Sequence, residues 1–143
     1  MRGFNVAKGY QDIKLPERKT AASAGYDFYV AKTITVEPGQ KALVETGVKA
    51  YMASDEVLKI YMRSSIAKNH DLQMPNHVGI IDADYYENET NDGAIFILVH
   101  NYGTIPITLD KNSRIAQGIF EKYYVSDQEI KPNRPRKGGF GST

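Results

Sequence analysis

The sequence predicts an all-β fold, an antiparallel sandwich or barrel with one short helix and a C-terminal arm outside the core. Two observations carry this prediction. Runs of five to ten residues rich in Val, Ile, Tyr and Phe recur along the chain, and turn-forming residues separate them. The alternation of strand with helix that a parallel sheet needs is missing from the pattern.

The recurring runs predict nine strands in chain order. Their predicted bounds are Tyr26–Ala31, Thr33–Glu37, Lys41–Glu45, Val48–Met52, Val57–Met62, Val78–Asp82, Ile95–His100, Ile105–Leu109 and Ile115–Tyr124. The breaks between them, such as Glu37–Gln40 and Asp110–Asn112, contain the Gly, Pro, Asn and Asp residues that favour turns. Closely spaced strands of this kind pair as antiparallel neighbours.

One helix and one arm complete the predicted organisation. Ser64–Asn69 offers a hydroxyl as N-cap candidate, followed by good helix formers. Residues 131–143 contain two prolines, three glycines and four cations, a composition typical of a flexible segment. The sequence therefore predicts a β domain over residues 1–130 and a flexible C-terminal arm over residues 131–143.

Composition excludes several classes of function. The 143 residues carry 18 Lys and Arg against 17 Asp and Glu, for a net charge of +1, so the strongly basic face of a nucleic-acid-polymer binder is not expected. The chain has no Cys, which excludes thiol nucleophiles and fits a reducing interior. Since no apolar run is long enough for a signal peptide or a membrane span, we expect a cytoplasmic protein without membrane contact.

Three clusters carry polar chemistry. The arm mixes Gly with Arg, Lys and hydroxyls, which suits a triphosphate, although a disordered basic tail has the same composition. Asp82 and Asp84 follow an apolar strand, and alternation would place both on one face, where a carboxylate could activate water or simply cap a turn. Arg63, Ser64 and Ser65 combine a cation, hydroxyls and a helix start, as an anion site or a plain helix cap would.

Two further polar side chains and the histidines complete the candidates. Asp27 is a lone acid at a strand entry, which is more often structural than catalytic. Gln117 lies on the last long strand, and its amide can both donate and accept hydrogen bonds. The histidines, His70, His77 and His100, lack metal-ligand spacing.

The order of these clusters is specific. Ala24-Gly25-Tyr26-Asp27 comes first, then Arg63-Ser64-Ser65-Ile66-Ala67, Gly79-Ile80-Ile81-Asp82-Ala83-Asp84-Tyr85, Arg114-Ile115-Ala116-Gln117, and finally Gly138-Gly139-Phe140-Gly141-Ser142-Thr143. This order resembles the five blocks of the trimeric dUTPase family, and the resemblance runs from about Leu15 to Thr143.

The resemblance implies a jelly-roll-like subunit in a homotrimer, with active sites at subunit interfaces that a neighbour's arm closes. The implied reaction is hydrolysis of dUTP to dUMP and pyrophosphate, with Mg²⁺ on the triphosphate. Such an enzyme keeps uracil out of DNA and supplies dUMP for thymidylate synthesis.

The resemblance also assigns roles to individual residues around the nucleoside. Asp82 matches the carboxylate that activates water, and Tyr85 matches the aromatic that stacks on deoxyribose and leaves no room for a 2′-hydroxyl. Asn76 and Gly79 match the hairpin that reads uracil, largely through backbone groups. Phe140 is expected over the base.

The remaining assignments concern phosphate and metal. The phosphate ligands implied are Arg63, Ser64, Ser65 and Gln117, together with Ser142 and Thr143 at the γ-phosphate. Asp27 is expected near the water shell of the metal. The family's arm arginine has no direct counterpart, because Pro135 stands at its usual position; Arg136 is the first choice and Arg134 the second.

Two alternatives are weighed against this assignment. A dCTP deaminase shares the fold and an Arg-Ser-Ser block, but it needs a Glu in the strand Ala94–His100, which has none. A regulatory β module would act by binding another protein, and intact Asp82, Tyr85 and Gln117 argue against loss of activity without excluding an added partner.

Overall fold

The structure is a computed structural model that describes residues 1–139 and 141, and within them it contains eleven strands, one α-helix and one 3-10 turn. The elements are β1 (Gly3–Val6), β2 (Tyr26–Tyr29), β3 (Ile34–Val36), β4 (Lys41–Glu45), β5 (Val48–Tyr51), β6 (Glu56–Met62), α1 (Ser64–Asn69), β7 (Leu72–Gln73), β8 (Gly79–Asp82), the 3-10 turn Ala83–Tyr85, β9 (Phe96–Asn101), β10 (Ile107–Leu109) and β11 (Arg114–Lys122). The all-β prediction is confirmed. Strands β1 and β7 lie outside the nine predicted runs.

The strands form four antiparallel sheets. Their orders are β2-β11-β6-β8, β4-β9-β7, β1-β5 and β3-β10. Strands β2, β3 and β4 pair with β11, β10 and β9 respectively. The first strand of this set thus pairs with the last and the inner strands pair with one another, as in a long hairpin folded over itself. This order gives the chain its jelly-roll-like topology.

One hydrophobic core joins the four sheets. It includes Phe28 from β2, Leu58 from β6, Ile97 from β9 and Ile115 from β11, each at most 1% exposed. Strand β9 alternates buried and half-buried residues, as a strand with one face toward the core does. Among the described residues, no helix is long and apolar enough to cross a membrane.

Candidate active site

A hairpin, strand β8 and the following 3-10 turn carry four of the sequence-predicted site residues. The hairpin turns at exposed Asn76 and at His77, whose φ of 63° lies in the left-handed region. Strand β8 begins at Gly79 and ends at Asp82, and the 3-10 turn places Tyr85 directly after it. We call Asn76, Gly79, Asp82 and Tyr85 the hairpin half of the site.

The two acids after β8 share one guanidinium. The prediction that Asp82 and Asp84 lie on one face of a strand is wrong in its premise, because β8 ends at Asp82 and Asp84 belongs to the 3-10 turn. Both carboxylates nevertheless bind Arg136, which donates through Nε to Asp84 Oδ1 at 2.6 Å and through Nη2 to Asp82 Oδ2. The fork geometry of Arg allows this double pairing.

Tyr85 is held rigidly beside these acids. Its ring is 4% exposed, and its hydroxyl donates to the Ala94 carbonyl at 2.7 Å and accepts from Asn91 Nδ2 at 2.8 Å. Burial raises the pKa of the Tyr85 hydroxyl, so the group stays protonated and keeps its donor. The Arg136 guanidinium lies 6.0 Å from the ring centroid, within range of a cation–π contact.

A cavity of about 210 Å³ opens along the hairpin half. Its lining is mostly apolar with a few polar groups, as small-molecule sites are. The lining includes Ile60, Met74, Asn76, Asp82, Tyr85 and Phe96. The polar side chains in its lining are those of Asn76, Asp82 and Arg136, so it joins the hairpin to the two acids and their guanidinium.

A second cluster lies where β2, β6 and β11 meet. Gln117 on β11 is in register with Asp27 on β2, next to a register shift between Arg114 and Ala116 of the kind that often flanks functional sites. The Asp27 carboxylate faces two guanidiniums, Arg63 Nε at 3.3 Å and Arg114 Nη1 at 3.2 Å. Since each carboxylate oxygen faces a cation, Asp27 orients Arg63.

The start of helix α1 belongs to the same cluster. The predicted hydroxyl N-cap is wrong, because Arg63 occupies the N-cap position and makes no side-chain cap bond. Its Nη1 instead donates to Ser65 Oγ at 3.2 Å, and Ser64 is exposed. We call Arg63, Ser64, Ser65 and Gln117 the cationic half of the site.

Strand β6 keeps Asp82 away from the cationic half of the same chain. Asp82 pairs with Val57 near the start of β6, whereas Arg63 follows its last residue. Six residues of extended chain span about 20 Å. Because β8 runs antiparallel to β6, Asn76 lies toward the Arg63 end and Asp82 at the far end. A nucleotide placed from Asn76 to Asp82 would therefore point its phosphates away from Arg63.

The arm returns to the hairpin half of its own chain, whereas the resemblance implies that a neighbour's arm closes the site. Thr90 Oγ1 donates to the Lys137 carbonyl at 2.5 Å, and Gly139 lies on the Tyr85 ring, where a Cβ would come within 2.5 Å of Cε1. Arg136 reaches the acids, whereas Arg134 is exposed. The predicted ligands Phe140, Ser142 and Thr143 lie outside the described residues.

Known proteins resemble this chain along nearly its whole length. A family model described as dUTPase matches residues 11–143. A deoxyuridine 5′-triphosphate nucleotidohydrolase of Lactococcus lactis subsp. lactis (strain IL1403) is 42% identical over 146 residues, covering 100% of this chain and 97% of the relative. The chain belongs to the dUTPase family.

Two further dUTPases show the same likeness. The Fowlpox virus (strain NVSL) nucleotidohydrolase is 34% identical over 150 residues, covering 100% of this chain and 98% of that protein. The crystal structure of dUTPase from Streptococcus mutans superposes with a TM-score of 0.85 at 41% identity, covering 87% of this chain and 98% of the other. The jelly-roll-like dUTPase fold is thus confirmed.

Sequence reasoning missed several residues that shape this candidate site. Asn88 and Asn91 contact Tyr85, and Arg114 shares Asp27 with Arg63. Lys49, on β5, binds Glu87 and Asp92 in the segment after Tyr85. The Asn-rich composition of residues 88–92 was the available signal, because such side chains commonly bond nearby backbone groups.

Replacing Gly139 by Ala is expected to lower kcat/KM for dUTP about tenfold while leaving thermal unfolding unchanged. The new methyl would overlap the Tyr85 ring, so the arm would have to move away, and small misplacements near a reacting centre are costly. Steady-state kinetics and a melting curve check this. Gly141→Ala is the less informative neighbour because its φ is 91°; an unaffected Gly139→Ala enzyme would contradict the packing.

Replacing Lys49 by Met is expected to lower the free energy of unfolding at pH 7 by about 1–2 kcal/mol, less than for a fully buried pair because both carboxylates are partly open to water. The Lys49 side chain is 10% exposed and lies 3.0 Å from Glu87 and 2.8 Å from Asp92. Urea unfolding measures the loss.

The same pair predicts a pH dependence. Hydrogen bonding to Lys49 lowers the Asp92 pKa below its ordinary value of 3.8. A lowered carboxyl pKa stabilises the fold above that value and loses its contribution as pH falls through the folded pKa. The difference between wild type and Lys49→Met should therefore shrink below pH 3.8. Lys59→Met, which breaks the exposed pair with Glu121, is the control and should change stability far less.

Proposed function

We propose that this chain is a dUTP diphosphatase that hydrolyses dUTP to dUMP and pyrophosphate, and so keeps uracil out of DNA while supplying dUMP for thymidylate synthesis. The observation that carries the proposal is the cavity that runs from Asn76 to Asp82 along the Tyr85 ring. Its polar ends and apolar walls suit a base at one end and a reacting phosphate at the other. Family membership agrees with this substrate.

The hairpin half supplies recognition and chemistry in this proposal. Backbone groups from Asn76 to Gly79 read uracil, Tyr85 stacks on the deoxyribose, and Phe140 covers the base. The half-exposed Asp82 carboxylate accepts a proton from a water whose oxygen attacks the α-phosphorus. The bond from the α-phosphorus to the bridging oxygen breaks, and pyrophosphate leaves.

The phosphate ligands come from a neighbouring chain in this proposal. Since the phosphates point away from the chain's own Arg63, the cationic half of a second copy must meet Asp82. Three copies in cyclic symmetry close such a ring of identical head-to-tail contacts. We therefore propose a homotrimer of 16.0 kDa chains. Light scattering would measure the molar mass of the assembly.

The arm, residues 131–143, completes the site beyond the 1–130 domain. Arg136 is the proposed arm arginine, and Ser142 and Thr143 are proposed at the γ-phosphate. Because Arg136 binds Asp82 and Asp84 in this structure, the triphosphate must compete with two carboxylates for it. The exchange would free Asp82 to take the water proton.

Mg²⁺ is proposed as the cofactor, carried by the triphosphate. Among the described residues, no group of three His, Cys, Asp or Glu could hold a cation, and Asp27 already faces two guanidiniums. This fits the usual binding of Mg²⁺ through substrate phosphates and water, with Asp27 at most near the water shell. When bound, the ion would offset phosphate charge and fix the triphosphate conformation.

The cytoplasm is the proposed compartment. The absence of Cys from the chain agrees with a reducing interior. Neither a membrane nor a nucleic-acid polymer is proposed as a partner.

Pyrophosphate release from dUTP, dCTP, dTTP and UTP, measured in parallel with Mg²⁺, tests the proposed reaction. Release from dUTP alone is the expected result. Ammonia from dCTP would identify a deaminase, although strand β9 carries no acid that could serve it. No release from any nucleotide would favour the protein-binding module, which a pull-down with and without dUTP would then examine.

A further inference from the structure

The segment between the 3-10 turn and β9, residues 86–93, is folded by its own asparagines, and we call it the Asn loop. Asn88 is 8% exposed, and its Oδ1 accepts from the amides of Thr90 at 3.0 Å and Asn91 at 3.1 Å. Asn91 Oδ1 accepts from the Gly93 amide at 3.1 Å. The acceptor ends of both side chains thus build the loop.

The donor ends of the same two side chains hold Tyr85. Asn91 Nδ2 donates to the Tyr85 hydroxyl, and Asn88 Nδ2 donates to the Tyr85 carbonyl, both at 2.8 Å. The hydroxyl proton goes to the Ala94 carbonyl. Swinging the ring away would break the two hydroxyl bonds in a buried place, where unmade hydrogen bonds are costly, while the Asn88 bond holds the Tyr85 backbone.

The Asn loop is itself fixed to the rest of the domain. Lys49 binds two of its carboxylates, and the Lys8 amide donates to Asp92 Oδ2 at 2.8 Å. Tyr86 accepts from Asn5 Nδ2 at 3.0 Å. The Lys49 and Lys8 contacts therefore anchor the loop to β5 and to the chain after β1, whereas the Asn5–Tyr86 bond is exposed and contributes little.

We propose that Asn91 and Asn88 are positioning residues that fix the place of the Tyr85 ring, and that this rigidity sets the preference for dUTP over UTP. The inference rests on the proposed function, in which the ring stacks on the deoxyribose. The Tyr85 ring excludes a 2′-hydroxyl only while it cannot move aside, and such steric discrimination is modest even in a rigid pocket. The side chains that hold the ring therefore decide whether this discrimination is retained.

The test compares kcat/KM for dUTP and UTP in Asn91→Asp and Tyr86→Phe. Asp at position 91 keeps the oxygen that Gly93 and Asn88 need and replaces the donor to the Tyr85 hydroxyl by a carboxylate oxygen, which draws the hydroxyl proton away from the Ala94 carbonyl. We expect the preference for dUTP to fall about tenfold in Asn91→Asp, with melting temperature little changed. Tyr86→Phe removes a loop bond that does not reach Tyr85, so its preference should equal that of wild type.

A double-mutant cycle separates positioning from general loop stability. Tyr85→Phe removes the hydroxyl, so adding Asn91→Asp should change the preference no further. Asn88→Asp, which loses the donor to the Tyr85 carbonyl and to Asn91 Oδ1, is the second variant and should behave as Asn91→Asp does. An active wild type with unchanged preference in both loop variants overturns the inference alone. A wild type that releases no pyrophosphate from dUTP overturns the proposed function and the inference together.

Discussion

Asp82→Asn is expected to slow dUTP hydrolysis about a thousandfold while nucleotide binding is kept, because the amide cannot accept the water proton that a general base takes. The side chain keeps its shape and its place at the end of β8. Single-turnover hydrolysis and calorimetric binding of a non-hydrolysable dUTP analogue measure the two effects separately.

Asp84→Asn is the matched control for this prediction. Asp84 is an exposed acid two residues away that binds the same Arg136 guanidinium, but it has no proposed role in proton transfer. Its turnover should change less than about threefold, as expected for an exposed ion pair. Equal losses in the two variants would show that Arg136 placement, rather than proton transfer, explains the effect of Asp82.

Deletion of residues 138–143 is expected to lower turnover about a hundredfold, because closure over the site aligns the reacting groups, while the assembly and its melting temperature are kept. Gly139 lies on Tyr85, and none of the described residues after β11 belongs to the hydrophobic core. Kinetics, light scattering and thermal unfolding measure the three properties. A trimer that dissociates on deletion would show that the arm is structural.

Two conservative variants identify the arm arginine. Arg136→Lys keeps the charge but loses the fork that binds two acceptors, so its turnover should fall. Arg134 is exposed, and Arg134→Lys should behave as wild type. The reverse pattern would assign the phosphate contact to Arg134.

The strands were predictable because their signal is local. The apolar, β-branched run in Ile95–His100 and the turn residues at Glu37–Gln40 are visible without any partner. Strand β7 has two residues, and within the described part of the chain β1 pairs only with β5. Elements this short exist because a distant strand completes their hydrogen bonds, and periodicity does not reveal that partner.

The site was predictable in its parts but not in its geometry. The resemblance indicated Asp82, Tyr85 and Gln117, whereas the approach of Arg136 to Asp82 joins residues 54 positions apart. Such contacts follow from tertiary packing. The separation of Asp82 from Arg63 depends on the register of β6 and β8, which only the folded sheet fixes.

Because β6 holds Asp82 apart from the cationic half of the same chain, a mixture of two variants, each defective in one half, should recover activity. In the proposed trimer each site takes Asp82 from one chain and Gln117 from another, so neither Asp82→Asn nor Gln117→Ala destroys both contributions of a subunit. Co-refolding the two inactive variants in equal amounts should place an intact pair in about a quarter of the sites, if subunits assemble at random. Activity would then rise well above that of either variant alone, and one defective chain would complement another.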